Sequence, residues 1–386
     1  MSVRSLLVRV AALALLAPIA APDSLERLAE LSRSQLEAEV EVAITKGTAW
    51  IIANQREDGS WGSHHSPRPI EVFATPPGTR DAWRVATTAL CTMALWDTKS
   101  PSDESAAAAD RGLDYLIEHW KVRRVSPEEH YNVWSFGYAL QCFGERLLSV
   151  PNDPRAPAIR AAAAGAVAKL GRYQDLDGGW GYLSFGTLKT YQPSFTSMSF
   201  TTATILVGLD RVARAGVEIP ELMLGKALKS VRRCRVPRGT YSYGEIWNSG
   251  PMSGLSGFAG AACRVPLCQY ALELFGDTFE EEDHLRGLRK LLVEEARYQV
   301  LGLRRPMPHS AWHQISGYFY LYGHAYAAYV LEERDEAVQR LFAPELARAV
   351  LLCREPDGSF WDYPLYSYHK PYGTAFSVMA LSRLKF

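Results

Sequence analysis

The chain has no surplus of either charge: 42 Lys and Arg offset 42 Asp and Glu, and charged residues make up 22% of its 386. Without a basic excess there is no electrostatic footprint for nucleic acid. The six Cys include no C-x-x-C pair, which excludes a Cys-based zinc site and a thioredoxin-like redox centre. No haem or nucleotide motif is present, and no two Asp residues are adjacent anywhere. No long Gly/Ser or charged linker divides the sequence, so residues 22–386 read as one domain. Long apolar runs are missing too. The best of them, Val10–Ala21, follows Arg4 and Arg9 and is too short for a comfortable membrane span. Charged start, short apolar core and small residues at its end describe a signal peptide over 1–21, cut near Ala21. The expected localisation is therefore periplasmic or secreted.

What is present is a repeat. Gln55-Arg56-Glu57-Asp58-Gly59-Ser60-Trp61 and Gln174-Asp175-Leu176-Asp177-Gly178-Gly179-Trp180 share the pattern Q-x-x-D-G-[S/G]-W, 119 residues apart. Two degenerate copies keep the Gly and an aromatic, at Gly239-Thr240-Tyr241 and at Asp357-Gly358-Ser359-Phe360. The spacings of 119, 61 and 119 are commensurate with six units, two of them lacking the signature near Glu118 and Tyr298. An apolar helical stretch precedes each copy and a second follows it. The upstream stretches, roughly 35–54, 105–121, 157–173, 220–234, 281–300 and 335–353, carry charge on one side, as in Glu37, Glu39, Glu41 and Lys46. The downstream ones, roughly 84–97, 131–147, 198–213, 254–275, 312–332 and 372–384, are nearly uncharged and rich in small residues. A helix apolar on all sides is buried on all sides. Six buried helices inside six amphipathic ones describe a closed all-α ring, an α6/α6 toroid. Ser34-Gln35-Leu36-Glu37 reads as the capping box of the first outer helix.

The motif and its repeats resemble the QW repeats of the squalene-cyclase and protein-prenyltransferase superfamily, whose fold is that toroid. The resemblance covers nearly all of residues 22–386. The cyclases protonate their substrate with a D-x-D-D motif at the start of an inner helix, and this chain has none. The prenyltransferases hold zinc with an Asp, a Cys and the His of an H-x-x-Y pattern. His369-Lys370-Pro371-Tyr372 matches that last element, but His309-Ser310-Ala311-Trp312-His313 stands where the Asp-x-Cys would be. The resemblance thus implies the fold, while neither known chemistry is carried over intact.

Loops leading into inner helices gather at one end of a toroid's cavity. His130, His309, His313 and His369 occupy such positions, with Glu128, Glu129 and Glu245 nearby. His309 and His313 would share a helix face, a usable spacing for a His-bound divalent metal; polar lining or capping is the plainer role. His313, His369 and Tyr372 are the candidate catalytic residues. Tyr131, Trp134 and Tyr138 form one aromatic stripe, and Tyr318, Tyr322, Tyr326 and Tyr329 another. Core packing accounts for any single member, yet a buried Tyr hydroxyl needs a partner, and so many imply a ligand-filled cavity. The candidate substrate-binding set is His130, Tyr131, Trp134, Glu245, His309, Tyr318 and Tyr322, with an apolar or isoprenoid-like ligand expected. Two other readings stand beside it. A glycan-active α/α-barrel enzyme would work either as a lyase with a Tyr or His base beside Asn132 and Arg84, or as a hydrolase with Glu129 and Glu245 as paired carboxylates. A non-catalytic repeat scaffold would bind a partner.

Overall fold

The computed structural model describes residues 22–68, 77–99, 101–124, 129, 131–183, 197–237, 239–245, 257–309 and 314–386. The signal-peptide expectation over 1–21 lies outside them, as do His130, His313 and Glu128. Among the described residues every regular element is helical, with only isolated bridges beside the helices.

A short helix, α1 (Pro22–Glu30), precedes the ring. The outer helices are α2 (Arg33–Ala53), α4 (Asp103–His119), α6 (Ala156–Tyr173), α8 (Glu221–Arg233), α10 (Glu281–Arg289) and α12 (Glu336–Leu351). Helix α10 runs through a π turn at Lys290–Glu294 into Ala296–Gly302. The inner helices are α3 (Pro77–Asp97), α5 (Asn132–Ser149), α7 (Ser199–Arg214), α9 (Val265–Glu273), α11 (Tyr320–Glu332) and α13 (His369–Ser382). Short helical turns at Phe258–Ala261 and Ala262–Arg264 lead into α9, and Gly317–Phe319 leads into α11. Each inner helix packs against the next, and α13 returns to α3, which closes the ring. The expected twelve-helix toroid is what the chain forms. The inner ring is tight because small residues sit at its contacts. A Cβ on Gly208 of α7 would lie 2.7 Å from the Gly137 carbonyl of α5.

The signature loops staple outer helices together. In all four copies the backbone N–H three residues before the turn Gly donates to the carbonyl one residue after it, closing the same small loop. Arg56 N–H donates to Ser60 O, Asp175 to Gly179 O, Val236 to Thr240 O and Glu355 to Ser359 O, at 2.7–2.9 Å. The Gly stands at φ of +83° to +99° in each, a left-handed conformation that costs Gly nothing. Gln55 Nε2 donates to Gly59 O within the loop (2.9 Å) and to Ala108 O of the next outer helix (2.8 Å). Gln174 repeats this with Gly178 O and Met223 O. The loop backbone also meets the inner ring: Trp61, Trp180 and Phe360 N–H donate to the hydroxyls of Thr88, Thr202 and Thr374. One detail differs from expectation. The capping box of α2 is Ser32 with Gln35, not Ser34 with Glu37. Ser32 is the residue with extended backbone (φ −62°, ψ 163°), as an N-cap requires.

The far end of the ring is plugged by charge. Arg211 of α7 reaches Glu145 of α5 (2.8 Å), while Arg383 at the end of α13 reaches Asp97 of α3 (2.5 Å) and Glu332 of α11 (3.2 Å). Both guanidiniums lie over the Tyr329 ring, at 5.5 and 4.0 Å. Burial raises the Glu145 pKa, and Arg211 opposes it. Among the described residues these groups cross the ring at the C-terminal ends of the inner helices.

Candidate functional site

At the N-terminal ends of the inner helices lies a cavity of about 900 Å³, counting its open mouth. Twelve of the sixteen described residues lining it are aromatic, and none is charged. Helix starts supply most of the wall. Trp83 comes from α3, Trp134 and Tyr138 from α5, Phe200 from α7, Tyr322 from α11, and Tyr372 and Phe376 from α13. The rings support one another. Trp134 stacks on Tyr138 with centroids 5.9 Å apart, and Trp83 meets Tyr131 edge-on at 5.3 Å. Such walls present large apolar area and negative ring faces.

The hydroxyls of Tyr322 and Tyr372 in this wall are committed to partners. Tyr322 OH meets Thr204 Oγ1 (2.8 Å) and donates to Phe200 O (3.1 Å). Tyr372 OH donates to Asp362 Oδ1 (2.9 Å) and reaches Tyr363 O (3.2 Å). Asp362 is wholly buried and also accepts the Leu321 N–H at 2.8 Å. Burial raises its pKa to about 6, against these hydrogen bonds, which lower it.

Beside the cavity three tyrosines converge. Tyr182 and Tyr243 share a hydroxyl–hydroxyl hydrogen bond, Tyr243 meets Tyr318 at 3.2 Å, and Tyr318 OH lies 2.8 Å from His309 Nε2. His309 Nδ1 lies 3.0 Å from the Gln314 carbonyl. A carbonyl can only accept, so Nδ1 carries the proton and Nε2 accepts from Tyr318. Burial lowers the His309 pKa; the Gln314 carbonyl raises it and nearby Arg264 lowers it further.

The candidate residues thus separate. Tyr131, Trp134, Tyr318, Tyr322 and Tyr372 come together around the cavity. His309 stands one layer behind Tyr318. His369, at the start of α13, has Nδ1 2.5 Å from Tyr366 O and its ring edge-on to Trp361; it is not among the described lining residues. Glu245 is ion-paired with Arg233 away from the lining. The described wall is therefore aromatic rather than aromatic and His-lined. His309 has φ of +53° and the described helical start of the fifth inner element is Gly317, so His309 stands outside that helix; its pairing with His313 lies outside the described residues. Among the described residues no group of three His, Cys, Asp or Glu could hold a metal. Glu129 accepts from Thr79 at 2.7 Å. All six Cys are free and buried.

Sequence reasoning missed Tyr182, Tyr243 and Asp362, although the repeat register marks them. Each lies two residues past the signature aromatic, at Trp180, Tyr241 and Phe360. The equivalent residue in the first copy is Ser63. Trp83, Phe319 and Tyr363 carry no such mark.

No family model matches the sequence, and no curated protein does. Solved structures do resemble the fold. A type II terpene cyclase from Scytonema is 15% identical, with 91% of this chain and 99% of that one covered and a TM-score of 0.51. A cellobiose 2-epimerase from Spirochaeta thermophila, also 15% identical, covers 90% and 98% with a TM-score of 0.55. A possible member of the GH105 family from Klebsiella pneumoniae is 14% identical over 92% and 93%, with a TM-score of 0.53. The α/α toroid is shared with all three, and the chemistry is set by side chains rather than by the fold.

Proposed function

We propose that the protein is an exported toroid that binds an apolar, isoprenoid-like ligand in its aromatic cavity. One observation carries this reading: the described wall holds twelve aromatic residues and no charged one. A sugar site needs polar groups free to meet several hydroxyls, and a glycosidase needs two carboxylates facing the cavity. Here the hydroxyls of Tyr318, Tyr322 and Tyr372 already have partners, and Glu245 is held by Arg233. The resemblance in fold to a terpene cyclase agrees with the apolar reading; the resemblance to an epimerase favours sugars equally as fold, and the aromatic lining supports the first. Export rests on the pattern of residues 1–21.

The test is a comparison of farnesol and geranylgeraniol with cellobiose and an acidic oligosaccharide. A ligand that binds only the native state stabilises it by about 2.7 kcal/mol at a hundredfold excess over its Kd. An isoprenoid alcohol should raise the melting temperature and quench Trp134 fluorescence, with Trp134→Ala weakening binding about tenfold. Stabilisation by a sugar and not by either alcohol would overturn the proposal. N-terminal sequencing of protein recovered from outside the cytoplasm should begin near Pro22.

A further inference from the structure

The three-tyrosine cluster is more than a way of satisfying buried hydroxyls. Its members come from three different parts of the ring: Tyr182 and Tyr243 from the second and third signature loops, Tyr318 from the approach to α11. Tyr182 and Tyr318 line the cavity, and Tyr243 bridges them behind. The hydrogen bonds have one consistent direction. Because the Nδ1 proton of His309 goes to Gln314 O, the Tyr318 proton must point to Nε2, leaving the Tyr318 oxygen to accept from Tyr243. The chain therefore ends on a neutral imidazole with a lone pair directed towards the cavity side. That imidazole is held in place by strain. Within one loop Arg304, His309 and Gln314 all have positive φ (60°, 53° and 51°), and such backbone outliers persist only where the surroundings enforce them. Ser316 Oγ accepts the His309 backbone N–H at 2.8 Å and lies 3.1 Å from Nδ1.

Beside the cluster stands a buried cation. Arg264 is fully buried, donates to Gly260 O (2.9 Å) and Tyr241 O (3.2 Å), and lies over the rings of Tyr243 (5.5 Å) and Phe319 (5.2 Å). Arg stays charged at any working pH. It disfavours a proton on His309 at rest and favours negative charge on any oxygen near the cluster. Among the described residues, the other ionisable groups close to His309 include the three tyrosines and, across the Tyr318 ring at 5.5 Å, Tyr363. Asp362 is turned instead to Tyr372 and the Leu321 N–H.

Building on the apolar-ligand reading above, we infer that Tyr182, Tyr243, Tyr318 and His309 form a proton-accepting relay, and that the ligand is an apolar molecule bearing a phenol or an enolisable carbonyl. The balance is simple. The O–H bond of a bound phenol, or the C–H bond beside a carbonyl, breaks; its proton passes to the Tyr318 oxygen as the Tyr318 proton moves to His309 Nε2. The ligand keeps the electron pair as a phenolate or enolate, with the Arg264 charge behind the Tyr243 and Phe319 rings, and the reverse transfer resets the imidazole. No cofactor or oxidant is required.

The test uses two probes of equal shape, naphthalene and 2-naphthol, with the unaltered protein, Tyr318→Phe and His309→Asn; Asn tolerates the left-handed backbone at this position. Naphthalene should bind the unaltered protein, and its affinity for each variant is the reference against which naphthol is read. Naphthol bound to the unaltered protein should ionise at least about one pH unit below its value in water, seen in its absorption, and each substitution should abolish that shift. Naphthalene binding without any lowered naphthol ionisation overturns the relay and leaves the apolar cavity standing. Failure of naphthalene to bind overturns the cavity reading and the relay with it. Nitrogen-15 spectra should show His309 as the neutral Nδ1–H tautomer; an Nε2–H tautomer would overturn the direction of transfer.

Discussion

Trp61 donates its indole N–H to the carbonyl of Ile51 at 2.7 Å, across the turn that ends α2. Trp180 makes the same bond to Leu170 at 2.9 Å. Both rings are fully buried, so each satisfies the last turn of an outer helix while filling the seam between helix layers. Trp61→Ala should lower stability by about 3–5 kcal/mol, and Trp61→Phe by less, since most of the packing is kept. Neither Trp61 nor Trp180 is among the described residues lining the cavity, so naphthalene binding should persist below the melting point. Unchanged urea midpoints in Trp61→Ala and Trp180→Ala would show that the loops do not staple the ring.

Much of this was legible in the residues. The Asp-Gly turns, their spacing and the two helix sets specify the toroid, because turn chemistry and burial pattern agree at every unit. Even the degenerate copies at Gly239 and Gly358 form the same turn, since the left-handed Gly fixes it and the Gln only adds a strut. The site was legible in part. Aromatic stripes on α5 and α11 pointed to Tyr131, Trp134, Tyr318 and Tyr322, and helix periodicity was enough for that. Loop residues were harder. The described start of the fifth inner element is Gly317 rather than 312, which leaves His309 in a loop, where helix periodicity gives no guide to its partners. Arg264 could not be assigned because a lone Arg in an apolar stretch has no periodic signature; its environment is made by Tyr243 and Phe319, distant in sequence.

His369 changes role between sequence and structure. A residue at the first position of a helix leans back over the preceding turn, and here that turn ends in Tyr366, whose φ is +44°. The imidazole holds the Tyr366 carbonyl instead of facing the cavity. His369→Ala should therefore cost about 1–2 kcal/mol of stability and leave naphthalene affinity within about twofold. A large loss of affinity with unchanged stability would return His369 to the cavity wall.

Asp362 couples stability to pH. Its folded pKa of about 6 lies above the ordinary 3.8, so between these values the native state holds more proton than the unfolded chain. Stability then falls as pH rises through this window, by about 3 kcal/mol at most. Above pH 6 the full cost of the buried carboxylate is present; below pH 4 it is absent. Asp362→Asn keeps an acceptor for the Leu321 N–H and removes the titration. Denaturant melts from pH 4 to 6.5 should show this variant with a flatter profile than the unaltered protein. Parallel profiles would mean that Asp362 does not titrate there.

Arg383 tests the closed end of the ring. Its side chain is held between Asp97 and Glu332, above the Tyr329 ring, with Arg211 and Glu145 beside it. Replacing Arg383 by Met keeps the packing volume but leaves Asp97 buried without its cation. Breaking one side of a buried pair costs about 3–5 kcal/mol, whereas replacing the pair by apolar residues is often neutral. Arg383→Met should therefore be strongly destabilised in urea, and Arg383→Met with Asp97→Leu should recover most of the loss. If the single variant loses less than about 1 kcal/mol, solvent reaches that end of the ring, and the cavity is a channel open at both mouths.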